Sequence, residues 1–226
     1  GVPLVDVDGM GRGLSWVDQT TYDVAGVSIC PLVLTSTHGH TFIIEDTSGG
    51  EVERYVRSLT VQMGGWCAFA GYPLTRQDCL DVAIRGSLRR CLDVGRASLR
   101  HAGGSVDGPM PWDHLAHGRV VDVRWTYPSG YPRGTITVLT GDGDRRPIRI
   151  EASNEFLMVV DEGRSVAQAP TIISLVNRST GAPVLAERIV VGIEVDIVSL
   201  RAPHRWQEPL FADRADVARF GLGPRS

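Results

Sequence analysis

The chain has 226 residues, 42% of them hydrophobic, and a formal net charge of −3 at pH 7. That length and composition suit one large or two small globular domains, and the negative balance excludes a basic nucleic-acid-binding face. All 23 basic residues are arginine, with no lysine in the chain, which excludes a Schiff base, a pyridoxal phosphate anchor and a Walker-type phosphate loop.

The chain opens on "GVPLVDVDG", where Pro3 to Val7 read as a short buried strand ending at Asp8-Gly9. The segments "VSICPLVLT" (27–35) and "HTFIIED" (40–46) read as two further strands around a turn centred on Gly39. From Thr75 to His101 runs the one long helix signal. Thr75 and Asp78 have capping-box spacing, and Leu80, Ile84, Leu88, Leu92 and Leu99 form an apolar stripe. The stretch "GGSVDGPMP" (103–111) has linker composition.

Period-two alternation then takes over. Val121, Val123 and Trp125 are expected on one face, as are the pairs Ile136/Val138 and Ile148/Ile150, with "GDGD" (141–144) as a hairpin turn. "EFLMVVD", "TIISLVN" and "VGIEVDIVSL" supply more strands. The expected fold class is α+β and multidomain. Residues 1–108 form part of an α/β domain with one long helix, and 109–226 a β-rich sandwich- or barrel-like domain.

No run approaches the ~20 apolar residues needed to span a bilayer. The four cysteines, Cys30, Cys67, Cys79 and Cys91, contain no CxxC pair. Reduced thiols in a cytoplasmic protein are the expectation. Cys67 is either a nucleophile or a core residue, and its apolar flanks favour the core; Cys79 and Cys91 read as helix packing residues.

Asp6 and Asp8 alternate along a strand and so point to opposite faces. Asp8, at the strand end beside Gly9, Gly11 and Gly13, suits general-base work or metal ligation; the competing reading is a turn cap made with backbone N–H groups. The glycines allow positive φ and close approach of a ligand to backbone N–H groups, but their GxGxG spacing is not the dinucleotide fingerprint. Arg12 reads either as an anchor for a substrate carboxylate or as a surface ion pair.

His38 and His40 would share a face in a strand, an acceptable geometry for a divalent metal such as zinc. His114 and His117 form an HxxH pair on what reads as a helical turn or loop. Solvent exposure without metal is the competing reading for both pairs. His204 and Trp206 either line a pocket for a flat ring or close one end of the β domain.

Several stretches occur together in order: "DVDGMGRG" (6–13), "SNEFL" (153–157), "STGAPV" and "GIEVDIVSL" within 179–200, and a terminal "FGLGPRS". On these residues the chain resembles the C-terminal two-thirds of the S-methyl thiohydantoin desulfurase family. It departs from the family where Gly13-Leu14-Ser15-Trp16 replaces the usual Ala-Phe-Pro-Glu, and where Pro170-Thr171 replaces a proline-aspartate.

The resemblance implies an α/β domain followed by a β-rich one. It also implies release of methanethiol from an S-methylated thiohydantoin, or hydrolysis of a related five-membered cyclic amide. In that setting Asp8 and Glu155 are the catalytic candidates. Gly9, Gly11, Arg12 and Asn154 would bind the ring, and Asp8, His38 and His40 would hold any metal. Asn154-Glu155 otherwise reads as a turn or bulge pair. The family's upstream glycine-rich segment is not in this sequence, so a second chain, a separate N-terminal segment or a homo-oligomer is expected as partner. The alternative function is a non-catalytic subunit or small-molecule-binding module that completes such a partner.

Overall fold

The computed structural model describes residues 3–47, 49–102, 110–127, 132–141, 143 and 145–222. The chain divides into two compact units, Gly1–Gly86 and Ser87–Ser226. The sequence places the boundary at 108/109 instead; the division at Gly86 assigns the helix Ser87–Ala102 to the second unit.

In the first unit a two-stranded ribbon pairs β1 (Val7–Asp8) with β5 (Ile84–Arg85). A three-stranded antiparallel sheet has the order β3 (Thr41–Ile44), β2 (Leu32–Thr35), β4 (Ala68–Ala70). Helices α1 (Thr21–Val24), α2 (Gly49–Gln62) and α3 (Arg76–Asp81) complete the unit. Leu32, Leu34, Val52, Val56 and Tyr72 are core residues there. The turn expected at Gly39 is present. Ser36 Oγ accepts from the N–H groups of His38 and His40 at 3.2 and 3.1 Å, and Gly39 has φ 81°. Leu4 and Val5 are exposed and Val7 and Asp8 only half-buried, so the buried strand expected over Pro3 to Val7 is corrected to a two-residue, half-buried strand at Val7–Asp8.

The long helix expected over 75–101 is two helices. The capping box is present, since Thr75 accepts from the N–H of Asp78 and the Asp78 carboxylate accepts from the N–H of Thr75. But α3 stops at Asp81, Ile84–Arg85 is drawn into pairing with β1, and Gly86 at φ 78° turns the chain before α4 (Ser87–Ala102) begins. The leucine stripe therefore does not continue through one helix. Ile84 is buried, whereas Leu88, Leu92 and Leu99 are 44%, 58% and 76% exposed. Cys91 is exposed rather than packed. A helix absent from the sequence reading, α2, occupies 49–62.

The second unit is dominated by one eight-stranded antiparallel sheet. Its strands in chain order are β6 (Asp113–Thr126), β7 (Arg133–Thr140), β8 (Pro147–Ser153), β9 (Glu155–Asp161), β10 (Arg164–Gln168), β11 (Ile172–Asn177), β12 (Pro183–Val184) and β13 (Glu194–Leu200). Their spatial order is β10-β9-β8-β7-β6-β13-β11-β12, so the edges β10 and β12 are not hydrogen-bonded to each other and the sheet is open rather than a closed barrel. It folds over on itself enough to bring β11 against β9. Val120, Ile136, Val138, Ile150, Leu175 and Ile197 fill the interior, each such side chain contributing about 1.5–3 kcal/mol by leaving water.

Strand β6 carries two bulges. Opposite β13 the pairs are Ile197↔Ala116 and Val198↔His114, which leaves Leu115 as an extra residue. Opposite β7 the pairs are Val120↔Val138 and Asp122↔Thr137, which leaves Val121 extra. Each bulge shifts the inside–outside phase by one residue. The expected face Val121, Val123, Trp125 is corrected accordingly: Val121 is exposed, and Val120 points inward with Val123 and Trp125.

Parts of three sequence expectations fall outside the described residues: most of the linker 103–111, positions 142 and 144 of the 141–144 turn, and the terminal residues 223–226. The β7–β8 hairpin itself is present, with Thr140 N–H donating to the Arg146 carbonyl at 3.1 Å. No described helix is long and apolar enough to cross a membrane.

Candidate functional site

In "VDVDGMGRG" the Asp8 side chain folds back on its own loop. Its Oδ1 accepts from the N–H groups of Met10 and Gly11, the latter at 2.6 Å. This is the turn cap anticipated as the competing reading. Among the three glycines Gly11 takes positive φ, at 60°. Gly9 is required for a different reason: a Cβ there would stand 2.7 Å from the Tyr22 ring and 3.0 Å from Thr20 Cβ. The Gly9 carbonyl also accepts from Thr21 N–H at 2.8 Å, which fastens the loop to α1. Burial above all, then the nearby Asp8 carboxylate and Cys79, push the Tyr22 phenol well up. Arg12 Nε donates to the neighbouring Gly13 carbonyl at 2.9 Å.

The residues following the loop are held by a polar network that the sequence reading missed with α2. Glu53 is buried; its Oε2 accepts from Val17 N–H at 2.9 Å, and its Oε1 pairs with Arg57 at 2.6 Å. Arg57 also donates to the Ser15 carbonyl at 3.1 Å, and the fully buried Gln19 accepts from Ser15 and Trp16 N–H. Cys67 packs against the core of this unit with its Sγ 3.3 Å from Thr60 Oγ1.

His38 and His40 are exposed at the β2–β3 turn, with ring centroids 6.4 Å apart. Among the described residues they do not join Asp8 in a group of three metal-ligating side chains within reach of one ion. Among the described residues the one such group is His114, His117 and Asp196. The HxxH pair lies on β6, not on a helical turn or loop, and the bulge at Leu115 puts both rings on one face.

Asn154 and Glu155 sit at the β8–β9 hairpin, where Ser153 pairs with Glu155 and Asn154 has φ 62°. Asparagine tolerates that left-handed conformation better than most residues. Both line a cavity of about 570 Å3 at one end of the folded sheet. Its walls include Trp125 near the end of β6, Tyr127 just beyond it, Phe156 from β9 and the Pro183–Glu187 segment. This combination of aromatic walls with a few polar groups is typical of small-molecule pockets. The aromatic lining was missed because residues far apart in sequence supply it. His204 and Trp206 do not share a site: Trp206 is buried, and His204 is exposed, 3.3 Å from Glu208.

Of the two catalytic candidates, Asp8 belongs to the first unit and Glu155 to the second. The described cysteines are free.

A family model described as S-Me-THD-like, N-terminal domain matches residues 1–46, and one described as S-Me-THD-like, C-terminal domain matches 47–224. No curated protein matches the chain. An X-ray crystal structure of a protein from Chromobacterium violaceum is similar in fold, with a TM-score of 0.69 and 22% identity. That likeness covers 98% of this chain and 65% of the other, so the chain spans about two-thirds of that protein's length. With consecutive family models covering it almost from end to end, the chain belongs to the S-methyl thiohydantoin desulfurase-like family.

Proposed function

We propose that the chain is a hydrolase acting on a small five-membered cyclic amidine of the S-methyl thiohydantoin type, and that the Glu155 cavity binds the ring. The observation that carries this reading is the meeting of Asn154 and Glu155 with Trp125 and Tyr127 around one cavity of about 570 Å3, in a chain of this family.

The flat ring stacks against the aromatic walls, and the Asn154 amide hydrogen-bonds a ring carbonyl or N–H. Glu155 takes a proton from water as the water oxygen adds to the ring carbon bearing sulfur. The C=N bond becomes a C–N single bond, and its nitrogen takes up a proton. The tetrahedral carbon then collapses to a carbonyl as the C–S bond breaks. The hydroxyl proton passes to solvent water, replacing the one the ring nitrogen drew from it, the Glu155 carboxylic acid protonates the leaving thiolate, and methanethiol and the hydantoin are the products.

The test is thiol release from an S-methyl thiohydantoin by the intact chain and by Glu155→Gln. The expected result is a rate loss of about 10²–10⁴-fold in the variant, with binding of plain hydantoin retained. Unchanged release by Glu155→Gln would overturn the assignment.

A second reading makes the chain a module that acts only with a further polypeptide. The exposed Phe42 and Phe69, which share one face of the three-stranded sheet through their common register partner Leu34, favour it, since apolar groups gathered at a surface are often covered in an assembly. Thiol release by the purified chain alone would eliminate it.

A further inference from the structure

We infer that His114, His117 and Asp196 form a binding site for a borderline divalent cation of the zinc type, separate from the Glu155 cavity. One ligand atom from each residue lies within 4.8 Å of the other two. His114 Nε2 and Asp196 Oδ1 are already 3.1 Å apart. A tetrahedral ion with bonds of about 2.0–2.1 Å holds its ligands roughly 3.4 Å from one another, so small side-chain rotations close the triangle.

The backbone explains why these three meet. Asp196 is the direct register partner of His117 across β13 and β6, and such partners point to the same face. In a regular strand residues three apart point to opposite faces. The extra Leu115 removes that half-step and returns His114 to the face of His117 and Asp196. The opposite face of these strands carries Val195 and Ile197 into the core, so a rigid sheet fixes the three ligand positions. The His117 ring is further seated on Gly141, where a Cβ would come within 3.2 Å of its Cδ2 and Nε2.

Two imidazoles and one carboxylate select zinc, cobalt or nickel over magnesium or calcium, which prefer all-oxygen sites. Three protein ligands leave a position open, and here the group borders a cavity of about 420 Å3 that includes Trp112 and Arg178. Arg178 Nε lies 3.5 Å from Asp196 Oδ1, where it orients the carboxylate from outside the ligand set. The site lies towards one end of β6, and Trp125 and the Glu155 cavity lie towards the other.

The test is titration of the chelator-stripped intact chain with Zn2+ and Co2+, read by calorimetry and by the visible absorption of bound cobalt. The expected result is one equivalent bound, with excess Mg2+ failing to compete. His117→Ala and Asp196→Asn should each lower affinity by more than the roughly 10–100-fold typical of outer-shell losses. The exposed His114→Gln should do the same without a change in the circular dichroism spectrum. Arg178→Met should stay within the 10–100-fold range, and the His38→Ala/His40→Ala double variant should bind as the parent does. Absence of a stoichiometric site, its survival in folded His114→Gln, or its loss in the His38/His40 variant would each overturn the inference. Cation stoichiometry is read without substrate, so this result stands apart from that of the Glu155→Gln assay.

Discussion

The indole of Trp125 lies across Gly134, its register partner on β7, so closely that a Cβ at Gly134 would be 2.7 Å from the ring carbons. The glycine gives the indole its place in the wall of the Glu155 cavity. Gly134→Ala is expected to displace the ring at a cost of about 1–3 kcal/mol. Because displacing a positioning group by ~1 Å can cost up to about 100-fold, kcat/KM for thiol release should fall by about tenfold or more. Urea unfolding and the release assay measure the two effects. Trp125→Phe in the Gly134→Ala background should restore stability without restoring kcat/KM.

Asp8 holds its loop by accepting two backbone N–H groups. An asparagine keeps an oxygen for that purpose and an alanine does not. Asp8→Ala should therefore destabilise the first unit by about 1 kcal/mol, the usual value for loss of a capping side chain, and Asp8→Asn by less. If Asp8 is a positioning residue, Asp8→Asn also retains thiol release, whereas a loss of about 100-fold or more in that folded variant would make it catalytic. Gly9→Ala, facing the Tyr22 ring, should cost about 1–3 kcal/mol, read from the same unfolding curves.

The Arg146 guanidinium donates to both Asp161 oxygens, at 2.8 and 2.9 Å, and holds that carboxyl below the usual carboxylate range against the opposing effect of burial. The folded protein thus releases this proton more readily than the unfolded chain. The pair's stabilisation is present above the unfolded carboxyl's pKa of about 4 and is lost as pH falls through the lower folded value. Arg146→Met should lower stability at pH 7 by no more than about 1 kcal/mol, as for a solvent-screened pair, and the difference should vanish at the acid end. Denaturation midpoints compared at neutral and acid pH check this.

The outward leucines of α4 give a further expectation. Leu92→Gln should change stability by less than about 0.5 kcal/mol, as surface substitutions usually do. Ile197→Ala, in the sheet interior, should cost about 2–5 kcal/mol. Equal costs in chemical denaturation would place Leu92 in a core after all.

The β-rich half was legible because alternation is a local property: Ile136 and Val138, then Ile148 and Ile150, fall inward as their spacing requires. What alternation cannot reveal is an extra residue, so the period-two pattern puts Val121 on the wrong face and the HxxH spacing reads as a helical turn or loop rather than a bulged strand. The helix boundary failed for a tertiary reason, since pairing with Val7–Asp8 draws Ile84–Arg85 out of a sequence that is otherwise helical in pattern. Asn154 and Glu155 stood out as a pair, but Trp125 and Tyr127 join them only through the folding of the sheet.

The extra residue at Leu115 also bears on how relatives should be compared. Deleting it would regularise the strand, because Ala116 would then follow His114 directly, as Ile197 precedes Val198 across the ladder. The two histidines would be two apart in an unbulged strand and would still share a face. His-x-x-His with a bulge and His-x-His without one are therefore spatial equivalents at this point of the sheet. A pattern written with fixed spacing would separate proteins that present the same pair of imidazoles, and an alignment that opens a one-residue gap here would unite them.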